Sequence, residues 1–194
     1  RLVGTLFTPG FPGYTRGVFA EAPGQYVVTT ANGNVARYWP ERLESDVLGT
    51  GYDRLMGVAV TSGGAVIAAE LGTGRILSFE GGSVSVLATD FDGPMGVAVD
   101  SDDTIYIAER GAGRVVKLVG GIVDVVCDGL GLPEGIALHG GKLYVVDVAT
   151  KELLAVDLIT GARTTIAADL PVGAPHGIVP KPLGAIGDMA GPMI

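Results

Sequence analysis

The sequence predicts an all-β protein, a β-propeller made of four-stranded antiparallel blades, and three observations carry this prediction. The segment Met-Gly-Val-Ala-Val at 56–60 recurs at 95–99, and a related Glu-Gly-Ile-Ala-Leu segment stands at 134–138, a spacing of 39 residues both times. Glycine accounts for 32 of 194 residues, which is more than twice its usual share of about 7%. No long stretch has the period of an amphipathic helix. A repeat of this length with many tight turns is typical of propeller blades.

Each repeat contains four short β-rich segments in the same order. In the repeat that begins at Met56, these segments are 56–60, 65–69, 75–79 and 83–87, and turns rich in glycine and polar residues join them. The first segment is almost continuously apolar, as expected for an inner strand that neighbouring blades cover on both faces. Four strands per repeat predict one antiparallel sheet, a blade, for each repeat.

The repeats divide the chain as a single propeller domain, 1–194. The expected boundaries are four full repeats at about 16–55, 56–94, 95–133 and 134–175, with partial blade strands at 1–8 and 176–194. Six blades of about 40 residues each need about 240 residues. We therefore expect about four full blades of a propeller that has six in the complete protein. The alternative is a five-bladed ring, closed by pairing the first strand with a partial last blade.

An acidic residue closes the second segment in each of three repeats: Glu70, Glu109 and Asp147. A catalytic site needs one such acid rather than one per blade. We therefore predict a structural role, in which these carboxylates bond turn amides or pair with Arg75 and Arg114.

Charge and hydropathy exclude two classes of partner. The formal net charge at pH 7 is −8 and the pI is about 4.6, so the surface repels phosphate backbones and nucleic acid is not an expected partner. No run of about 18 uncharged apolar residues is present, so the sequence predicts no membrane-spanning helix and no membrane partner. The single cysteine, Cys127, lies in an apolar run and is predicted to be a buried, inert thiol.

Several segments resemble known propeller families. The segments 132–138, 142–147 and 154–157 resemble the SMP-30/gluconolactonase/LRE-like family. The segments 93–100, 105–109 and 113–115 are similar to an NHL repeat. Both resemblances imply the propeller fold that the repeat predicts, and together they cover about residues 16 to 179. They do not imply one activity, because these propellers host lactonases, lyases, a synthase and binding modules.

The resemblance also implies where a site would lie. In the SMP-30 type, a divalent metal, usually calcium, sits at the top of the central channel and is held by acids and asparagines that precede the blade glycines. The matching positions in this sequence are Arg16, Met56, Met95, Glu134 and His176. Glu134 stands where the family has an asparagine, whereas the two methionines cannot bind calcium, which requires oxygen ligands. The family's full ligand set is therefore not present.

Rotation about the propeller axis brings equivalent positions of successive blades to the same funnel. We therefore expect the five matching residues to converge at one end of the channel. In the functional interpretation, Glu134 and His176 are catalytic and bind a divalent metal, calcium or zinc, while Arg16, Met56 and Met95 bind substrate, Arg16 through an anionic group. In the structural interpretation, Arg16 pairs with Glu134 and His176 hydrogen-bonds nearby.

The resemblance and this ring of residues suggest a hydrolase similar to the SMP-30/gluconolactonase type. It would act on a lactone or small ester in the axial funnel, with a metal polarising the carbonyl and activating water and a carboxylate as base. Two alternatives remain open: an NHL-type lyase in which His176 or tyrosines act as acid and base, and a non-catalytic propeller that binds a ligand or protein. The expected partners are a small-molecule substrate and, through uncovered blade edges, missing blades or another chain.

Overall fold

Residue 10 and residues 12–172 are described by the computed structural model, and they form sixteen strands in four blades. Blade 1 contains β1 (Thr15–Ala22), β2 (Gln25–Thr30), β3 (Val35–Trp39) and β4 (Glu44–Gly49). Blade 2 contains β5 (Leu55–Val60), β6 (Val66–Glu70), β7 (Arg75–Glu80) and β8 (Ser83–Ala88). Blade 3 contains β9 (Pro94–Val99), β10 (Ile105–Glu109), β11 (Arg114–Val119) and β12 (Ile122–Cys127). Blade 4 contains β13 (Pro133–His139), β14 (Lys142–Asp147), β15 (Glu152–Asp157) and β16 (Arg163–Ala167).

Every blade is an antiparallel meander in which consecutive strands pair. The first strands of the four blades are the inner strands: β1 contacts β5, β5 contacts β9 and β9 contacts β13. The blades therefore follow one another around a common axis, and the described residues contain no helix. The predicted all-β propeller of four-stranded blades, with four full blades in this chain, is confirmed. The total number of blades stays a prediction, because the partial strands expected at 1–8 and 176–194 lie outside the described residues.

The hydrophobic core lies between blades rather than within one of them. Val27 of blade 1 packs with Leu55 of blade 2, Ile67 of blade 2 packs in one cluster with Ile107 of blade 3, and Tyr106 of blade 3 packs with blade 4. Burying one Val, Leu or Ile side chain contributes about 1.5–3 kcal/mol. Each blade obtains this contribution only when a neighbour covers it.

The acids that close the second strands of blades 2 to 4 tie each blade to the loop that precedes it. Glu70, Glu109 and Asp147 are 1%, 2% and 1% exposed. Glu70 accepts the amide of Asp53 at 2.8 Å, and Glu109 accepts the amide of Asp92 at 2.8 Å. We call these three acids, with their hydrogen bonds, the acid latches.

The remaining latch contacts complete this structural role. Glu70 pairs with Arg75 at 2.6 Å and Glu109 pairs with Arg114 at 2.6 Å. Asp147 instead accepts only backbone amides, among them those at 131 and 132 at 2.6 and 2.9 Å. The predicted bonds to turn amides and to the two arginines are thereby confirmed.

Glycines at the inner strands allow neighbouring blades to approach closely. A Cβ on Gly57 would lie 2.5 Å from the carbonyl oxygen of Met95, and Gly17 and Gly96 face the next blade in the same way. At the equivalent Gly135, the nearest described atom is a Val146 methyl carbon at 3.8 Å. The further inner strand predicted at 176–179 lies outside the described residues and stays a prediction.

Two further expectations concern the rest of the chain. The thiol of Cys127 is buried, as predicted, and burial raises its pKa, which makes the reactive thiolate scarce. Across the described residues, no helix has the length and apolar character needed to cross a membrane.

Candidate functional site

A local irregularity of the inner strands positions one side chain of each blade. The register of the inner strand against its neighbour shifts between Thr15 and Gly17 in blade 1, and equivalent shifts occur at the start of β5, β9 and β13. Such irregularities re-aim side chains and are common beside functional sites. The residue before each blade glycine lies at this point.

These residues converge, as the repeat predicts. Arg16, Met56, Met95 and Glu134 line one cavity of about 650 Å³. Since each comes from a different inner strand, the cavity lies at one end of the propeller axis. His176, the fifth predicted member, lies outside the described residues. We call this space the axial cavity; the described residues that line it are Arg16, Arg54, Met56, Leu71, Asp92, Gly93, Met95, Arg110, Gly111 and Glu134.

One side of the axial cavity is held by contacts between blades 1 and 2. The hydroxyl of Thr29 accepts the Gly17 amide at 2.9 Å and donates to the carbonyl oxygen of Met56. The Arg16 guanidinium lies with Nη1 3.3 Å from the Met56 sulfur. Together with Met95 and Leu71, Met56 gives the cavity an apolar wall, a common feature of small-molecule sites.

Glu134 is paired with an arginine that the sequence did not indicate. Arg110 Nε donates to Glu134 Oε1 at 2.8 Å. The structural interpretation paired Glu134 with Arg16, whereas the structure pairs Glu134 with Arg110 within the described residues. The reason is geometric, since Arg110 directly follows β10 and reaches the start of the adjacent inner strand β13.

Arg54 and Arg110 are the two cationic lining residues that the sequence did not indicate. Neither arginine stands directly before a blade glycine, which is the position that Arg16, Met56, Met95 and Glu134 occupy. Arg110 follows the latch acid Glu109, where blade 2 has Leu71 after its own latch acid. Superposing the repeats on the latch acids, rather than on the glycines alone, would have indicated this arginine.

The described residues do not by themselves fit a divalent metal. Glu134 and Asp92 are the acids of the lining, Glu134 is bound to Arg110, and three guanidinium groups share the cavity. Within the described part of the chain, no group of three or more His, Cys, Asp or Glu side chains could hold a metal ion. A site on Glu134 and His176 stays a prediction, because one of its two ligands lies outside that part.

Comparison with protein families supports the NHL interpretation. Residues 91–118 match the NHL repeat, a segment that runs through most of the first three strands of blade 3. This match and the fold together support an NHL-type β-propeller, whereas membership of the SMP-30/gluconolactonase family stays a prediction. No curated protein sequence matches the chain.

Solved propeller structures resemble the fold. A structure titled nidogen/laminin complex aligns with a TM-score of 0.71 at 20% identity, covering 82% of this chain and 64% of that one. Virginiamycin B lyase from Staphylococcus aureus aligns with a TM-score of 0.68 at 15% identity, covering 81% and 57%. A catalytically inactive histidine-to-alanine variant of that lyase, with quinupristin, aligns with a TM-score of 0.64 at 15% identity, covering 81% and 57%. The chain thus spans about 57 to 64% of the length of these structures.

Proposed function

We propose that the axial cavity is the active site of a hydrolase that acts on a lactone or small ester. The observation that supports this proposal is the convergence of the Glu134 carboxylate with an apolar wall at the end of the axis, from four blades that otherwise repeat one another. The blade fold does not require a polar side chain at this position, because Met56 and Met95 occupy it in two of the blades. A polar residue there can therefore serve in catalysis.

In the proposed reaction, Glu134 acts as general base toward water. Arg110 Nε donates to Oε1, which fixes the carboxylate and leaves Oε2 to take a proton from water. The water oxygen adds to the ester carbonyl carbon, the bond from that carbon to the alkoxy oxygen breaks, and the proton returns to the leaving oxygen. No step of this reaction is assigned to the divalent metal predicted at Glu134 and His176, because His176 lies outside the described residues.

A lyase is the second candidate. Its support is the likeness to virginiamycin B lyase, of which a histidine-to-alanine variant is described as catalytically inactive. The chain contains two histidines, and His139 is exposed at the end of β13. His176 is therefore the histidine that would serve as acid or base in a lyase.

A protein-binding propeller is the third candidate. One structural neighbour is a nidogen/laminin complex, and apolar side chains are exposed on outer strands, among them Ile122 at 67% and Val125 at 53%. Turnover of a small molecule at the axial cavity argues against a purely protein-binding role.

The hydrolase is tested with the variant Glu134→Gln, which keeps the side-chain shape and removes the charge. We expect hydrolysis of phenyl acetate or γ-butyrolactone to fall about 100-fold or more, because a general base contributes at least this factor. Stability should change by less than about 1 kcal/mol, since the Glu134–Arg110 pair is partly exposed. The matched control is Glu80→Gln, at an exposed acid of blade 2, which should leave turnover unchanged.

Product analysis separates the two reactions. In water enriched in oxygen-18, hydrolysis places the solvent oxygen in the acid product, whereas elimination yields a carbon–carbon double bond and no solvent oxygen. Full activity of Glu134→Gln, or no turnover of any ester or lactone by the native protein, contradicts the proposed hydrolase.

A further inference from the structure

Positive charge is concentrated at the axial cavity of an otherwise acidic protein. The lining contains Arg16, Arg54 and Arg110 together with Asp92 and Glu134. Among the described lining residues, three arginines stand against two acids, whereas the whole chain has a net charge of −8. The guanidinium groups can bind an anionic ligand through charge-assisted hydrogen bonds.

The three arginines differ in how firmly they are engaged. Arg110 forms an ion pair with Glu134, in which Nε lies 2.8 Å from Oε1. The Arg54 side chain makes one hydrogen bond to the described residues, from Nε to the adjacent Asp53 at 3.2 Å, and both side chains of this pair are about half exposed, at 42% and 57%. Exposed pairs of this kind contribute little. A ligand carboxylate can therefore compete for Arg54, and its terminal nitrogens offer the geometry for two parallel hydrogen bonds.

The backbone at Arg54 adds an independent observation. Its φ is +56°, in the left-handed region, and the equivalent residue of blade 3 is Gly93 with φ +69°. The equivalence follows from matching hydrogen bonds: Leu71 N donates to Arg54 O at 3.0 Å, and Arg110 N donates to Gly93 O at 2.9 Å. Glycine adopts this conformation without a penalty, whereas an arginine is strained there. The described residues include six non-glycine residues with positive φ, and among these six Arg54 lines the axial cavity; local strain of this kind clusters at functional positions.

The apolar lining residues indicate which part of a ligand would lie away from the arginines. Met56, Met95 and Leu71 form an apolar wall beside the arginines. Methionine sulfur makes favourable contacts with aromatic rings and adapts to irregular shapes. A molecule with an apolar or aromatic body and one anionic group complements both parts of the cavity.

We propose that the axial cavity selects small monocarboxylates with an apolar body, and that Arg54 binds the carboxylate. Arg16 adds positive charge on the blade 1 side of the same cavity, while Met56 and Met95 contact the apolar body. This inference rests on the proposed function insofar as it names the substrate class of the same cavity: an ester or lactone that carries a separate carboxylate.

The test compares 4-phenylbutyrate with 4-phenylbutanamide, which share size and apolar body and differ in charge. Dissociation constants are measured by ligand-observed NMR titration of the full chain at low and high salt. We expect the carboxylate to bind about tenfold or more tightly than the amide, because charge-assisted hydrogen bonds are about twice as strong as neutral ones. The preference should shrink at high salt.

The variant Arg54→Gly removes the guanidinium and introduces glycine, the residue that blade 3 has at the equivalent position, Gly93. Its fold should persist, so loss of binding cannot be attributed to unfolding. We expect affinity for 4-phenylbutyrate to fall about tenfold and affinity for 4-phenylbutanamide to stay within about twofold. Arg54→Lys keeps the charge but loses the planar group that can donate two parallel hydrogen bonds. Its affinity for 4-phenylbutyrate should therefore lie between those of the native protein and of Arg54→Gly. The control Arg42→Gln removes a charge from an exposed loop and should change neither.

The outcomes separate this inference from the proposed function. Equal binding of the two compounds by the native protein overturns the carboxylate selectivity, and an unchanged preference in Arg54→Gly overturns the role of Arg54; in both cases the cavity remains a small-molecule site. If neither compound binds but phenyl acetate is hydrolysed with dependence on Glu134, the selectivity is wrong and the hydrolase stands. If neither binds and no ester is turned over, both proposals fail.

Discussion

Replacement of Glu109 by alanine is expected to lower the unfolding free energy substantially. The change leaves the amide of Asp92, whose hydrogen bond is partly buried, and the guanidinium of Arg114, which is 38% exposed, without the oxygens that they now bond at 2.8 and 2.6 Å. An unsatisfied buried donor costs about 1–3 kcal/mol, and we expect a loss at the lower end of this range because water can reach both donors. Urea denaturation of the full chain measures the effect through the midpoint at unchanged slope.

Two comparisons make this result specific to the acid latch. Glu109→Gln keeps one oxygen acceptor and should lose less stability than Glu109→Ala. Glu80→Ala removes an exposed acid at the end of β7 in blade 2 and should stay within about 0.5 kcal/mol of the native chain, as surface substitutions do. Equal small effects at Glu109 and Glu80 would contradict the latch.

The latches of Glu70 and Asp147 also make the stability of the fold depend on acidic pH. Burial raises the pKa of Glu70, but its hydrogen bonds outweigh burial and hold the pKa below its ordinary value; the same balance lowers the pKa of Asp147, where backbone amides are the donors. Carboxylates with a depressed folded-state pKa contribute stability above the unfolded-state value of about 4, and this contribution is lost as the pH falls through the folded-state value. Stability should therefore be level near neutrality and decline below about pH 4, and the decline should weaken in Glu70→Gln.

Replacement of Gly57 by alanine is expected to disturb the seam between blades 2 and 3. The new Cβ would lie 2.5 Å from Met95 O and 2.7 Å from Val97 N, and neither backbone atom can rotate away as a side chain can. Overpacking of this kind costs about 1–3 kcal/mol and occasionally more. Thermal unfolding, with a shift of about 2–4 °C for each kcal/mol in a chain of this size, measures it.

The control for Gly57 lies in the same blade. Gly63 is an exposed turn residue whose added Cβ would meet only Thr61 Oγ1, at 4.0 Å, so Gly63→Ala should be close to neutral. Because Met95 lines the axial cavity, Gly57→Ala should also weaken ligand binding, whereas Gly63→Ala should not. Similar thermal midpoints for the two variants would mean that the blades do not meet as closely as described.

The repeat was sufficient to predict the fold because a repeat of about 40 residues that contains four short strands is typical of propeller blades. The 39-residue spacing of Gly57, Gly96 and Gly135 places one strand per blade at the axis, and the residues before them meet in one cavity. This convergence needs no knowledge of side-chain contacts. The latch role of Glu70, Glu109 and Asp147 was predictable for the same reason, since a feature repeated in three blades is expected to serve the blade rather than a single site.

The ion pairs of the cavity could not be predicted from the residues before the blade glycines alone. Glu134 pairs with Arg110, which belongs to another blade and another position of the repeat, 24 residues away. Such a pair depends on the distance between the end of one strand and the start of the next inner strand, which a period does not fix. Arg54 was missed because its position in the repeat is occupied by Gly93 in the following blade, so it resembled a turn residue rather than a member of the ring.

The central claim is that the axial cavity is the place where this propeller binds a small molecule. The most direct test is a titration of 13C-methyl-methionine chain with 4-phenylbutyrate, followed by NMR, with the signals of Met56 and Met95 assigned through Met56→Leu and Met95→Leu. We expect both methyl signals to shift and to saturate at the dissociation constant that the ligand signals report, because both methionines line the cavity. Saturable binding of the carboxylate that leaves the Met56 and Met95 signals unmoved would place the ligand elsewhere and contradict the claim.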